Sequence, residues 1–290
     1  VSRTGAVVVT HRTPARAEQC VRSLWEAGAD EVVVVDAGSD DGTVRRLRAA
    51  GTTVLAEANL GFGRCANAGV AALADDVDVV VVCNADTTWE PAAVTLLAQR
   101  VRQPGVAAAG PTVTYPDGRH QASARQLPDL RTAVGHAVLG LWWPDNRWTR
   151  RYRQVGRVSG ASRQVDWLSG CALALDRAAF NAVGGFDPGY FLYAEDVDLC
   201  VRLTEEGGRL VTVPEARVVH EVGASTSRQR GRTVRHHARS LDRFAARHVL
   251  TGRRRVLRPL LRLGLAAWTL TAVVWHRVVG TRSGRSTTGE

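Results

Sequence analysis

Four runs dominated by valine or other apolar residues recur through the first hundred positions: "AVVVT" from Ala6, "EVVVVD" from Glu31, "TTVLAE" from Thr52 and "VDVVVVCNAD" from Val77. A near-continuous apolar run is a strand covered on both faces, because a strand with one wet face would alternate. Helical patterns stand between them: "PARAEQCVRSLWEAG", "GTVRRLRAAG", "GRCANAGVAALA" and, after the fourth run, "EPAAVTLLAQRV" with Pro91 near its first turn. Few folds accept this alternation. It predicts a parallel sheet with right-handed crossovers and helices on both faces. Ligands of such sheets bind beyond the carboxyl ends of the strands. Thr10, Asp36, Asn84 and Asp86 fall there and become candidates from topology alone.

The pattern breaks between Tyr115 and Arg163, where "YPDGRH" reads as a turn and "LWWPDNRW" as an aromatic, proline-interrupted excursion. Periodicity returns at "QVDWLSGCALALDR", a strand leading into a short helix from Arg177. "AEDVDLCVRLTEEG" reads as a helix ending at Gly207, "RLVTVP" and "ARVVHEVG" as two further strands, and two Arg-rich helices finish the chain. The expected class is α/β, a mostly parallel central sheet flanked by helices. Residues 1–250 form its domain, with a ligand-binding half at 1–113 and a second half at 114–250, and a basic amphipathic tail covers 251–290.

Several motifs carry chemistry. "VDAGSDDGT" sets Asp36 at a strand end before a tight turn; Asp40 and Asp41 are helix caps in the plainer reading, and Asp36 is the better ligand. "GFGRCA" fits a dinucleotide fingerprint only loosely, since it follows the third strand rather than the first; a glycine-lined turn opening a helix still suits phosphate. "VCNADTTW" ends a buried strand on the carboxylate of Asp86, a position favoured by a hard divalent cation; Thr87 or Thr88 would serve better as a plain helix cap. A lone strand histidine such as His220 is more often structural than a ligand.

The acids of "YFLYAEDVDLCVRL" differ by helix face. Asp196 shares a side with Leu199, Cys200 and Leu203 and points inward; Asp198 shares a side with Arg202 and Glu205, a solvated ion-pair face. An inward acid at a helix start is a general base or an N-terminal cap.

"VVVVDAGSDDGT", "NLGFGRCANAG", "NADTTW" and "GGFDPGYFLYAEDVDLCVRL…VPEARVVHEVGAST" occur in order across residues 5–250. Together they resemble the family-2 inverting glycosyltransferases of the GT-A fold, in their rhamnosyltransferase branch. The resemblance implies transfer of L-rhamnose from dTDP-L-rhamnose to a polyprenyl-diphosphate-linked sugar, N-acetylglucosaminyl-diphospho-decaprenol of a cell-wall linker, with Mg²⁺ or Mn²⁺. It implies that Thr10 and Asp36 hold the nucleoside, with Asn59, Gly61 and Arg64 nearby. Asp86 and His220 would bind the metal, Asp196 would be the base, and Trp167, Gly170 and Glu195 would lie on the acceptor side. Asn84 stands where the family's metal motif often has its first Asp, which implies weaker metal affinity. A relative using another sugar or another lipid-linked glycan is the nearest alternative.

Charge adds a partner and tests other classes. Fifteen Arg face two acids from Arg228 to Glu290, while residues 1–227 hold 23 Arg and 26 acids. A basic tail on a mildly acidic body points to a polyanion. Nucleic acid is disfavoured because no reading motif accompanies the tail. "RRRVLRPLLRLGLAAWTLTAVVWHRVV" has an apolar core too short to span a bilayer, which suits an interfacial helix on an anionic membrane; packing on the body, or pairing in a homodimer, would use the same face. Five scattered cysteines without CxxC spacing argue against a disulfide framework or zinc site. The first strand starts too early to leave room for a signal peptide, so the expected location is peripheral, at the cytoplasmic face of the plasma membrane. A non-catalytic sugar-binding module is disfavoured by the intact set of acids.

Overall fold

Three of the four apolar runs become strands covered by helices on both faces; the third, Thr53–Glu57, is the sheet edge, with Thr53, Ala56 and Glu57 exposed. A computed structural model describes residues 2–125, 160–221 and 230–283. Strands β1 (Arg3–Thr10), β2 (Glu31–Ala37), β3 (Thr53–Glu57) and β4 (Val77–Asn84) pair in parallel in the order β3-β2-β1-β4. Helices α1 (Pro14–Glu26), α2 (Thr43–Ala49) and α3 (Phe62–Ala72) connect them. Alternate residues of one strand feed two cores. Ala6 and Val8 pack with Cys20 and Leu24 of α1, while Val7 packs with Cys65 and Val70 of α3. That double burial is what a continuous valine run requires.

"TTW" forms a short strand, β5 (Thr87–Trp89), and caps no helix. Helix α4 (Ala93–Val101) starts instead from Ala92 in the left-handed region. Strand β6 (Val106–Thr114) follows. The first block of parallel pairing ends at β4, because β10 (Ala172–Asp176) enters antiparallel between β4 and β6. Three two-residue strands precede it: β7 (Ala124–Arg125), β8 (Gln164–Val165) and β9 (Trp167–Leu168). β7 pairs with β9 in a separate ribbon. The aromatic stretch "LWWPDNRW" lies outside the described residues.

Helices α5 (Arg177–Ala182) and α6 (Glu195–Glu205) come next, then β11 (Arg209–His220). The two strands expected on either side of Pro214 are one. Val213 and Arg217 pair with the consecutive residues Pro111 and Thr112 of β6, so residues 214–216 bulge out and the strand resumes. Its last residue, His220, pairs antiparallel with Thr87.

The C-terminal helices are α7 (Arg230–Phe244), a π-helical turn (Ala245–Val249), a 3₁₀ segment (Gly252–Leu257) and α8 (Arg258–Ser283). Arg243 and Arg247 both reach Asp187, and Arg258 and Arg262 both reach Asp242, so ion pairs fasten α7 to the body and α8 to α7. No helix among the described residues is long and apolar enough to cross a membrane.

Candidate active site

Register alone brings the first candidates together. Thr10 pairs with Asp36 and Val9 with Asn84, so three strand ends share one edge of the sheet. Asp36 is buried and accepts two hydrogen bonds from Ser39, from its backbone N–H at 2.8 Å and its hydroxyl at 2.5 Å. Thr10 and Thr13 share a hydroxyl hydrogen bond of 3.0 Å. The β2–α2 turn divides its acids. Asp41 accepts from the Thr43 amide at 3.1 Å within the turn, one residue ahead of the N-cap Gly42, whereas Asp40 pairs with exposed Arg12. Thr43 holds the Asp41 carboxyl below its usual range.

At the end of β4, Asp86 meets His220. Their Oδ1 and Nε2 atoms are 3.1 Å apart, and Nδ2 of Asn84 stands 3.3 Å from the same imidazole nitrogen. The other ring nitrogen, Nδ1, lies 2.9 Å from Gln121 Oε1, which fixes the ring's orientation. Burial opposes a charge on His220. The hydrogen bond to Asp86, and the Cys171 sulfur, outweigh it and push the imidazole up to about 10.

The donor set suits a divalent cation. Asp86 offers a carboxylate oxygen and His220 an imidazole nitrogen, donor types that divalent cations accept. No group of three His, Cys, Asp or Glu side chains among the described residues is placed to hold a metal ion by itself. Such a two-residue set leaves coordination positions for phosphate oxygens and water, the habit of Mg²⁺ and of like ions.

Asp196 opens α6. Its Oδ2 accepts the Gly170 backbone N–H at 3.0 Å and its Oδ1 the Val197 N–H at 2.8 Å. Burial raises the carboxyl above its ordinary value; these two amides and the Trp167 indole oppose the rise. The Trp167 N–H favours the carboxylate electrostatically but closes no hydrogen bond. Glu195, beside it, is buried with Oε2 unpartnered. Burial, reinforced by the Asp196 charge, pushes Glu195 up to about 8. Burial thus raises both neighbouring carboxyls, and the two backbone amides oppose the rise at Asp196. Among the described residues four buried side-chain atoms lack partners, and three of them, on Arg125, Trp167 and Glu195, gather here; the Arg125 guanidinium lies 5.1 Å from the centre of the Trp167 ring. Such a cluster of unsatisfied donors and acceptors suits a polar ligand.

Asp198 is not on a solvated face. It has no solvent exposure and binds Arg202 at 2.8 Å, His248 at 2.7 Å and the Tyr190 hydroxyl at 3.3 Å. The π-helical turn after α7 brings His248 over this side of α6 and covers it. The loop ahead of α6 is held from the same direction. Phe191 stacks on His236 with ring centres 4.2 Å apart, Tyr193 packs on His237, and the Ser240 hydroxyl donates to the Leu192 carbonyl at 2.9 Å. Tyr193 and Ala194 both occupy the left-handed region, at φ of 68° and 64°. Each such residue costs about 1–3 kcal/mol and persists only where its surroundings dictate it.

The glycines of "GFGR" have packing reasons. Gly61 has φ +101°, and a Cβ there would lie 2.4 Å from the Phe191 carbonyl oxygen; a Cβ on Gly63 would lie 2.9 Å from Phe186 Cβ. The first amide of α3, on Phe62, already donates to Phe191. Arg64 is exposed and donates to the Pro188 carbonyl, and Asn59 is exposed. A cavity of about 390 Å³ lined by Asn67, Val70, Arg177 and Asn181 holds none of the candidate residues. Sequence reasoning missed Gln121, Arg125, Arg243, Arg247 and His248. All act across the fold, and no local spacing marks them.

A central, partly parallel sheet flanked by helices is the arrangement of the GT-A glycosyltransferases. Residues 2–242 match the family described as glycosyltransferase like family 2, and the chain belongs to that family as a glycosyltransferase. It is 40% identical over 255 residues to N-acetylglucosaminyl-diphospho-decaprenol L-rhamnosyltransferase of Mycobacterium tuberculosis, covering 83% of each chain. It is 30% identical over 128 residues to rhamnosyltransferase WbbL of Escherichia coli, covering 44% of this chain and 46% of that one. Among solved structures it resembles the Pyrobaculum calidifontis mannosyltransferase in complex with GDP-Man and Mn²⁺, with TM-score 0.59, 18% identity and coverage of 99% and 81%. Glucosyl-3-phosphoglycerate synthase of Mycobacterium tuberculosis, solved with Mn²⁺ and UDP-glucose, gives TM-score 0.54, 20% identity and coverage of 83% and 79%.

Proposed function

We propose that this glycosyltransferase moves L-rhamnose from dTDP-L-rhamnose to N-acetylglucosaminyl-diphospho-decaprenol, with inversion. The observation that carries the chemistry is Asp196, held at the start of α6 by the Gly170 amide among unpartnered polar groups. The choice of sugar and acceptor is supported by the 40% identity to a transferase of that name. Asp196 takes the proton of the acceptor hydroxyl as its oxygen bonds to the anomeric carbon. The bond from that carbon to the diphosphate breaks on the opposite face, and the diphosphate leaves with the electron pair. Thr10 and Asp36 bind the nucleoside at the strand edge. Trp167, Gly170 and Glu195 receive the acceptor, with Glu195 donating a hydrogen bond while neutral. Asp86 and His220 hold Mg²⁺ or Mn²⁺, which when bound supplies positive charge against the leaving diphosphate. Asn84 orients the His220 ring. The reaction takes place on lipid-linked substrate at the cytoplasmic face of the membrane.

The test is a donor panel. Purified full chain receives dTDP-rhamnose, UDP-glucose or GDP-mannose with membranes carrying the lipid-linked N-acetylglucosamine. Nucleoside diphosphate release and the product anomer are measured. Release from dTDP-rhamnose alone, dependent on acceptor, with an inverted anomer and loss after chelation, is the expected result. Preference for another donor, or full activity after exhaustive chelation, overturns the corresponding part.

A further inference from the structure

The C-terminal helices expose a face that takes no part in the candidate site. Arg258, Leu261, Leu265, Trp268 and Thr269 of α8 are half-buried, and Arg258 and Arg262 are tied to Asp242. On a helical projection at about 100° per residue, Pro259, Leu260, Leu263, Ala267 and Leu270 form a continuous arc on the other side. That arc is exposed and holds no charge. Its leucines, with Val256 and Leu257 of the preceding 3₁₀ turn, are between 44% and 77% exposed. Scattered exposed leucines are ordinary, but an aligned stripe of them marks a contact surface.

Charge beside the stripe says what covers it. Arg253, Arg254 and Arg255 are exposed at its N-terminal end, and no carboxylate among the described residues pairs with them. Arg243, Arg247, Arg258 and Arg262 each have an acid partner, whereas Arg235 and Arg239 on α7, like the triplet, pair with no carboxylate among the described residues. Only two acids accompany the fifteen arginines after position 227. A second copy of the chain would have to set the unpaired triplet against an acidic patch. A bilayer offers acyl chains and anionic headgroups side by side, which suits leucines next to unpaired arginines.

We propose that the Arg253–Arg255 triplet and the Val256, Leu260, Leu263 and Leu270 stripe form an in-plane docking surface for an anionic lipid membrane. The surface is argued from α8 and its flank; its purpose, bringing the site to a lipid-linked acceptor, rests on the proposed function. The docked element is the one joined through Asp242 to α7, whose other residues pack on the loop ahead of Asp196. The membrane contact and the catalytic helix are thus linked by a short set of side-chain contacts.

The experiment floats full-length protein with vesicles of phosphatidylcholine alone or with phosphatidylglycerol added. Binding is expected only with the anionic lipid and should weaken as salt rises. Replacing Arg253, Arg254 and Arg255 by Gln should weaken it by on the order of 100-fold. Leu260→Ser with Leu263→Ser should abolish flotation while leaving turnover of a water-soluble acceptor analogue and the solution mass unchanged. Equal binding by the variants, binding indifferent to lipid charge, or conversion of a dimer to a monomer by the leucine changes would overturn the proposal. Loss of flotation with retained turnover separates this surface from the catalytic reading, and flotation by a chain without rhamnosyl transfer would sink only the latter.

Discussion

Gly170 donates its backbone N–H to Asp196 at 3.0 Å, and the carbonyl of the next residue, Cys171, accepts the Asn84 amide at 3.1 Å. The backbone groups of two adjacent residues therefore connect the candidate base to the strand end that carries the carboxylate–imidazole pair. The connection runs through backbone, where side-chain substitution cannot easily loosen it. It exists because β10 enters the sheet antiparallel beside β4, so the start of one strand abuts the finish of the other.

Asp196 and Asp198 are expected to fail in different ways. Asp196→Asn keeps shape but removes the proton acceptor, so kcat should fall by about 10²–10⁴ with little change in melting temperature. Asp198→Asn breaks a fully buried ion pair with Arg202 and should cost about 3–5 kcal/mol of stability. Denaturant unfolding beside steady-state kinetics separates the two. Equal loss of activity at unchanged stability for both would refute the assignment.

Glu195 makes stability depend on pH. Its folded-state value, about 8, lies above the ordinary 4.5. The stability it contributes is therefore fully present below about pH 4.5 and is lost as pH rises through about 8. Glu195→Gln cannot ionise and should escape that loss. The mutant should gain on the parent between pH 5 and pH 8, by at most about 1.4 kcal/mol per pH unit. Melting curves across that window provide the check, and a constant difference would contradict the shift.

Gly61→Ala should be strongly destabilising, because the new Cβ would be placed 2.4 Å from a backbone oxygen in a left-handed residue. Gly118→Ala, also left-handed at φ +79° but facing open space, isolates the backbone contribution of about 1–2 kcal/mol. The excess at Gly61 combines the clash with Phe191 and the cost of a backbone at φ +101° and ψ 161°, which only glycine readily adopts. Similar losses at both positions would mean that α3 and the aromatic loop do not meet as described.

The sequence shows the sheet edge and hides the C-terminal clamp, for physical reasons. Valine runs fix strands, parallel pairing fixes which ends coincide, and Thr10, Asp36 and Asn84 follow. Asp198 misleads because helical spacing gives it a polar face with Arg202, and polar faces are normally wet. Here another polar surface covers it, through His248 fifty positions away, and such a pairing leaves no local trace. Pro214 misleads in a similar way: it reads as the end of a strand, yet a bulge absorbs it and β11 continues to His220. The glycines of "GFGR" look like a phosphate turn, and their close neighbours, Phe186 and Phe191, lie more than a hundred residues along the chain.

Gln121 should matter to metal use without touching the reaction. Its Oε1 is the partner of His220 Nδ1. Gln121→Leu should raise the half-activating Mg²⁺ or Mn²⁺ concentration by about 10–100-fold. Turnover at saturating metal should stay near the parent value. A metal titration of activity decides it; an unchanged midpoint would show that the ring is held by other means.

Tyr193 and Ala194 enter α6 in a backbone conformation that neither residue favours, and Ser240, His236 and His237 keep the approach in place. A fragment truncated after His220 would thus contain every residue expected to touch donor, cation or acceptor and still lack the splint for its own catalytic helix. The smallest working enzyme is longer than the span of its reactive groups, and its boundary belongs beyond the π-helical turn.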